Sequence, residues 1–304
     1  MTEPAIRLPD FCIFHSASFP LMRLQVFHRT RYHYRLPVRD SYNELRLRPA
    51  TEDKSRLEFF LLNVQPPVRL RHFRDPYLNY VHYFELTEPH RELVIEAQST
   101  LNTTSPYSGG KPLGVAMSGL ASLQDDMLRD FIRSSQYVDN SPDLWKLALD
   151  ITSGISDVFT AAESIMQHIY RNWTYAPNTT TAATHVRDVL ETKRGVCQDF
   201  THLMAGLCRA INIPARYVSG YLYNGPNSHL RGAQASHAWC EVFVPGHGWY
   251  GLDPTNNILA DERHIKIATG RDYQDAAPVS GHFDGPPGAT SVLQVELEVR
   301  RMDG

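Results

Sequence analysis

Apolar and polar positions alternate through the first third of the chain. The run Leu24–Tyr34 alternates and is rich in aromatic and β-branched residues. Asn43–Arg48 repeats the pattern, with Leu45 and Leu47 on one face and Arg46 and Arg48 on the other. A period of two marks a strand with one covered face. Leu57–Val64, Tyr80–Leu86 and Leu93–Leu101 are further strand candidates, separated by Pro37, Pro49, Pro66, Pro67, Pro76 and Pro89. Short strands with proline punctuation predict an antiparallel, β-sandwich-like domain.

The period then changes. Thr103–Pro112 has the turn composition of a boundary. Beyond it, Leu123–Ser134, Pro142–Thr152, Asp157–Asn172 and the shorter Thr184–Thr192 read as helices. The cleanest pattern runs from Gln198 to Ile211. There Phe200, Leu203, Met204, Leu207, Cys208 and Ile211 share one helical face, and Pro214 ends it. Strands resume at Ala215–Tyr223, Ala235–Val244 and Trp249–Asp253. Gly281–Gly288 reads as a loop and Ser291–Arg301 as a final strand. The expected class is therefore α+β. A β-domain over 22–105 and a linker over 106–122 precede a domain over 123–304, in which helices lead into an antiparallel sheet. Glu3, Pro4, Pro9, Asp10 and His15 interrupt any apolar leader, so residues 1–21 are expected to be a poorly ordered extension before Met22.

Composition narrows the function. At 304 residues, 42% hydrophobic and 21% charged, the chain can bury a full core. A net charge of −3 gives no electrostatic case for nucleic acid or an anionic membrane. No apolar run reaches the length of a membrane span, about 18 residues. Four cysteines without a CxxC pair do not make a disulfide framework, and reduced thiols in the cytoplasm are expected. There is no HExxH, paired Cys/His spacing, phosphate loop or dinucleotide fingerprint, so neither a metal nor a cofactor is expected.

Three segments carry candidate chemistry: Arg194–Phe200, Ser236–Val242 and Gly251–Thr255. Cys197 follows Gly195 at the start of the best helix. Unpaired N–H groups and the positive end of the helix dipole favour a thiolate there. His237 shares a strand face with Trp239 and Glu241, and Asp253 shares one with Trp249 and Gly251. A hairpin about Gly246 makes His237 and Asp253 opposite or diagonal neighbours. The carboxylate can then fix the imidazole, whose other nitrogen faces a nucleophile. Taken singly, each residue has a plainer reading: a buried thiol, a satisfied histidine, an Asp-Pro turn. Cys208 and Cys240 keep that reading, and Cys12 lies in the extension. The order and placement of the three segments together favour chemistry.

Gly195–Phe200 with Arg209–Tyr221, His237–Val242 and Trp249–Asn256 together resemble the core of the transglutaminase-like superfamily. Thr30–Pro49, Arg271–Tyr273, Ala277–Val279 and the final strand resemble its bacterial subgroup. The resemblance implies a papain-like or transglutaminase-like core, with Cys197 as nucleophile, His237 as general base and Asp253 as its orienter. It implies acyl transfer through a thioester on a peptide or protein substrate. A cysteine peptidase or amidase is the leading expectation. The alternatives are a protein-glutamine transglutaminase with an amine acceptor, and a non-catalytic binding module. The Cys197 N–H is one candidate oxyanion donor. Trp173 and Tyr175 are candidates for a second, though either can equally be a core aromatic. Gln198 and Asp199 are expected to line the site or cap the helix. The β-domain is expected to be scaffold, or one wall of the cleft.

Overall fold

The computed structural model describes residues 21–302, apart from 53, 106–109, 124, 227–228 and 233–235. The expected extension, except Leu21, and the start of the expected linker, 106–109, lie outside the described residues. The strands of the first part are β1 (Met22–Leu45), β2 (Ser55–Gln65), β3 (Arg71–Arg74), β4 (Tyr80–Leu86) and β5 (His90–Thr103). Next come the helices α1 (Asp126–Asp130), α2 (Pro142–Ile151) and α3 (Val158–Asn172), the short strand β6 (Thr174–Tyr175), α4 (Val186–Thr192) and β7 (Arg194–Gly195). Then α5 (Cys197–Ala210) leads into β8 (Ala215–Leu222), β9 (His237–Val244), β10 (Gly248–Asp253), β11 (Ile258–Leu259) and β12 (His264–Gly270). The chain finishes with α6 (Tyr273–Ala276), β13 (Val279–Asp284) and β14 (Ser291–Arg301).

The class is α+β with a β-rich N-terminal region. Long strand β1 serves both halves of that region. Its first half pairs with β5 and β14, its second half with β4 and β13, all antiparallel. The two halves share a core that includes Tyr34, Leu45, Phe84 and Ile95. The final strands thus return to the N-terminal sheet, from Leu24↔Arg301 to Tyr34↔Ser291 and at Leu45↔Val279. Sequence spacing assigns this tail to the second domain, but its backbone partners lie in the first. The first half of the expected 281–288 loop is strand, since β13 runs to Asp284, while 285–288 turn as expected; Gly281 sits within β13, where Cβ room is absent beside the Tyr42 carbonyl at 2.4 Å. The helix expected over Leu123–Ser134 shortens to α1, capped by Asp125, whose side chain accepts the Met127 N–H.

The second part is a five-stranded antiparallel sheet, ordered β11-β10-β9-β8-β12. Helix α5 lies against one face. Its stripe of Phe200, Leu203, Met204 and Leu207 joins Cys240, Val242 and Leu252 of the sheet and Ile165 of α3 in one buried cluster. Such burial contributes about 1.5–3 kcal/mol per large apolar side chain. The N-terminal sheet comes against another part of the same structure: Leu24, Val26 and Leu101 pack with Tyr221, Ile265 and Ile267. His28 Nδ1 and the Tyr221 hydroxyl meet there at 2.9 Å, both buried.

Candidate active site

Cys197 is the first residue of α5, after Val196 in extended conformation. Asp199 holds this helix start, since its Oδ2 accepts the Val196 N–H at 2.7 Å and the Thr180 hydroxyl at 2.6 Å. Of its two expected roles, Asp199 takes the cap. Gly195 is required because a Cβ there would lie 2.7 Å from Asp199 Cβ. Gln198 turns to the Ala182 carbonyl at 3.0 Å. The parallel pair Tyr175↔Gly195 brings Tyr175 beside the cysteine.

His237 opens β9 and Asp253 ends β10. Their register, with Leu252 opposite Cys240, sets Asp253 level with Trp239 and one diagonal step from His237. The expected hairpin geometry is present. His237 Nε2 donates to Asp253 Oδ2 at 2.8 Å, with both side chains fully buried. The Asp253 Oδ1 accepts the backbone N–H groups of Thr255 and Asn256 at 2.9 and 3.3 Å, and Oδ2 also accepts Asn256 Nδ2 at 2.8 Å. Burial would lower the His237 pKa, but the Asp253 carboxylate outweighs it and, with the neighbouring Cys197, raises it to about 10. Burial would raise Asp253, but the His237 imidazolium holds it well below the carboxylate range. His237 Nδ1 has no hydrogen-bond partner among the described groups that meets ordinary geometry, and its neighbour is the Cys197 thiol.

Cys197 is 8% exposed, on the wall of a cavity of about 310 Å³. Tyr175, Thr180, Gln198, Ser219, Ser236 and Tyr273 share that wall, and among the described residues no Asp, Glu, Lys or Arg lines it. Gly232 lies over the pair with φ +78°; a Cβ there would sit 2.8 Å from His237 Nδ1 and 3.7 Å from Cys197 Cβ. Trp173 is a core aromatic, its Nε1–H bound to the Val189 carbonyl at 2.9 Å. Tyr175 reaches the cavity instead. Burial, with a smaller effect of the Cys197 charge, pushes its phenol up to about 12, so it remains a hydrogen-bond donor at neutral pH. Cys208 and Cys240 are fully buried away from the cavity. Burial pushes the Cys208 thiol up to about 12 and Cys240 higher than its ordinary value.

Sequence reasoning left His264 and Asn256 without a role. Asn256 stood in the aspartate segment, but its amide bond to Asp253 depends on the turn after β10. His264 begins a strand that lacks a clear alternating pattern, so no periodic signal marked it. Ligand atoms of His237, Asp253 and His264 lie within 4.8 Å of one another. The histidine Nε2 atoms stand 2.8 and 3.4 Å from the same Asp253 oxygen, so each can donate a hydrogen bond to it.

Residues 146–254 match the transglutaminase-like superfamily, and residues 24–102 match the bacterial transglutaminase-like N-terminal region. An uncharacterized protein of Mycobacterium tuberculosis is 32% identical over 311 residues, covering 95% of this chain and 97% of its own length. A protein-glutamine gamma-glutamyltransferase of Pseudomonas aeruginosa is 36% identical over 109 residues, covering 33% of this chain and 16% of its own. The crystal structure of a candidate cysteine protease from Cytophaga hutchinsonii superposes with a TM-score of 0.75 at 25% identity, covering 94% of this chain and 92% of that one.

Proposed function

Given that the chain belongs to the transglutaminase-like superfamily, with the bacterial N-terminal region, we propose that it is a thiol-dependent acyl-transfer enzyme whose nucleophile, base and orienter are Cys197, His237 and Asp253. The observation that carries this reading is the buried 2.8 Å bond from His237 Nε2 to Asp253, which leaves Nδ1 for the thiol at the start of α5. His237 holds the thiol proton as imidazolium, and the Cys197 thiolate attacks the carbonyl carbon of a peptide or carboxamide. The tetrahedral oxyanion accepts hydrogen bonds from the Cys197 N–H and the Tyr175 phenol. His237 passes its proton to the leaving amine or ammonia as the C–N bond breaks. A thioester remains, and water or an amine resolves it, its proton passing to His237.

Water is the proposed acceptor, which makes the protein a cysteine peptidase or amidase. Support comes from its overall likeness to the Cytophaga protein, against a likeness to the glutamyltransferase restricted to a third of the chain. A cavity with no carboxylate, lysine or arginine among its described lining residues suits an uncharged peptide or carboxamide group. Incubation with glutamine-containing peptides, with and without a primary amine, decides between the acceptors by product mass. Cleaved or deamidated peptide, absent with Cys197→Ser, is the expected outcome. Amine adducts alone would assign the transglutaminase reaction, and no product with any peptide would favour the binding module.

A further inference from the structure

Beside the proposed triad lies a second imidazole that the reaction above does not use. His264 begins β12, and its side chain is only 1% exposed. Its Nε2 stands 3.4 Å from Asp253 Oδ2, the oxygen that also holds His237. Its Nδ1 accepts the Asp261 backbone N–H at 3.0 Å. The ionised Asp253 carboxylate offers only acceptors, so its contact with Nε2 requires a proton on Nε2. That proton points at the Asp253 carboxylate.

The ring is held on its other sides. Trp239 of β9 meets it edge-on with centroids 5.2 Å apart, and His237 is a neighbour at 6.1 Å. Asp261, in the turn before β12, lies 3.2 Å from Nδ1 through Oδ1, and Arg263 binds the same carboxylate. The charged and titratable groups facing His264 are therefore Asp253, Asp261 with its Arg263, and His237.

We propose that His264 is a positioning residue, whose Nε2–H fixes the Asp253 carboxylate in the orientation that aims His237 Nδ1 at Cys197. The proposal rests on the reading of Cys197 and His237 as a reacting pair. Without His264, Oδ2 keeps its bonds to His237 and Asn256 but loses the donor that β12 supplies. The carboxylate then lacks its restraint on the β12 side, and the imidazole it holds is aimed less tightly.

Iodoacetamide alkylation of Cys197 in the full chain, followed by peptide mass spectrometry across pH, needs no known substrate. His264→Leu should slow alkylation at pH 7 by about tenfold, the effect of losing one hydrogen bond to a charged group. It should also move the pH of half-maximal alkylation upward. His264→Gln, whose amide can replace the Nε2–H, should restore both to within about threefold of the wild type. If His264→Leu does not fold, His264→Asn, with an amide too short to reach Asp253, is compared with His264→Gln in its place. An unchanged half-maximal pH in the variant lacking the donor overturns the proposal, even where the urea midpoint falls. A His237→Gln control with wild-type alkylation would instead overturn the reading of the Cys197–His237 pair. A control that shifts while His264→Leu does not would overturn the role of His264 alone.

Discussion

Replacing Asp253 by asparagine tests the buried pair in detail. Among the described residues, five hydrogen bonds reach this carboxylate and all are donated to it: two backbone N–H groups on Oδ1, and His237, Asn256 and His264 on Oδ2. Asparagine keeps one oxygen and brings an NH2 group. In either orientation, that NH2 faces donors. Without its counter-charge the ring becomes neutral, and it accepts from that NH2 only with its remaining proton on Nδ1, where it can no longer accept the thiol proton. Removing one partner from a buried ion pair costs about 3–5 kcal/mol. The pH dependence has a definite sign. His237 rises from 6.5 to about 10 on folding, so its contribution is complete below 6.5 and is lost as pH climbs through about 10. The lowered Asp253 contributes above 3.8 and loses its effect only in stronger acid. Urea denaturation of the wild type and Asp253→Asn should therefore differ most near pH 6, by about 3–5 kcal/mol, and converge toward pH 10. A gap below about 1 kcal/mol at pH 6, or one that stays constant to pH 10, would refute the buried imidazolium–carboxylate pair.

The remaining predictions follow from local geometry. Glu241 is buried between Arg216 and Lys266 at 2.6 Å each; burial would raise it, but the two cations bring it down to about 2. Glu241→Gln should cost about 3–5 kcal/mol by urea denaturation at pH 7, and the wild-type contribution should fade as pH drops from 4.5 through about 2. Gly232→Ala places a Cβ 2.8 Å from His237 Nδ1 at a φ of +78°, so Cys197 alkylation should slow by at least tenfold, about 1.4 kcal/mol, and the strained backbone should lower the urea midpoint as well. An alkylation rate equal to wild type would contradict the placement of the ring. Tyr175→Phe should lower kcat by about 10²–10³ and leave KM nearly unchanged if the phenol stabilises the oxyanion. A pure KM effect would assign it to substrate binding instead.

Much of the candidate site was legible because each residue occupies a strong local signal. Cys197 begins the helix with the cleanest apolar stripe, and Gly195 marks its entry. The turn Pro245–Gly248 fixes the hairpin, and a period of two then puts His237 and Asp253 on one face. Asn256 and His264 reach Asp253 through a turn and a strand whose placement depends on tertiary packing, and neither leaves a periodic trace. Similar limits shaped the fold reading. The alternation of Ser291–Arg301 announces a strand, but strand patterns do not name their partner, and this one crosses back to β1. Gly281 suggested a loop because glycine weakens strands. Here it is needed so that β13 can approach the Tyr42 carbonyl. Leu123–Ser134 has helical spacing without enough buried positions, since only Leu128 is buried in α1.

The central claim is that Cys197 forms a thioester in a reaction driven by His237. Its most direct test is peptide mass spectrometry after brief exposure to an activated acyl ester, with the acid-quenched protein compared before and after hydroxylamine. The account predicts one acyl group on the Cys197 peptide, discharged by hydroxylamine, and a strongly reduced yield with His237→Gln. Acyl groups on Cys208 or Cys240, or equal labelling of Cys197 with and without His237, would contradict it.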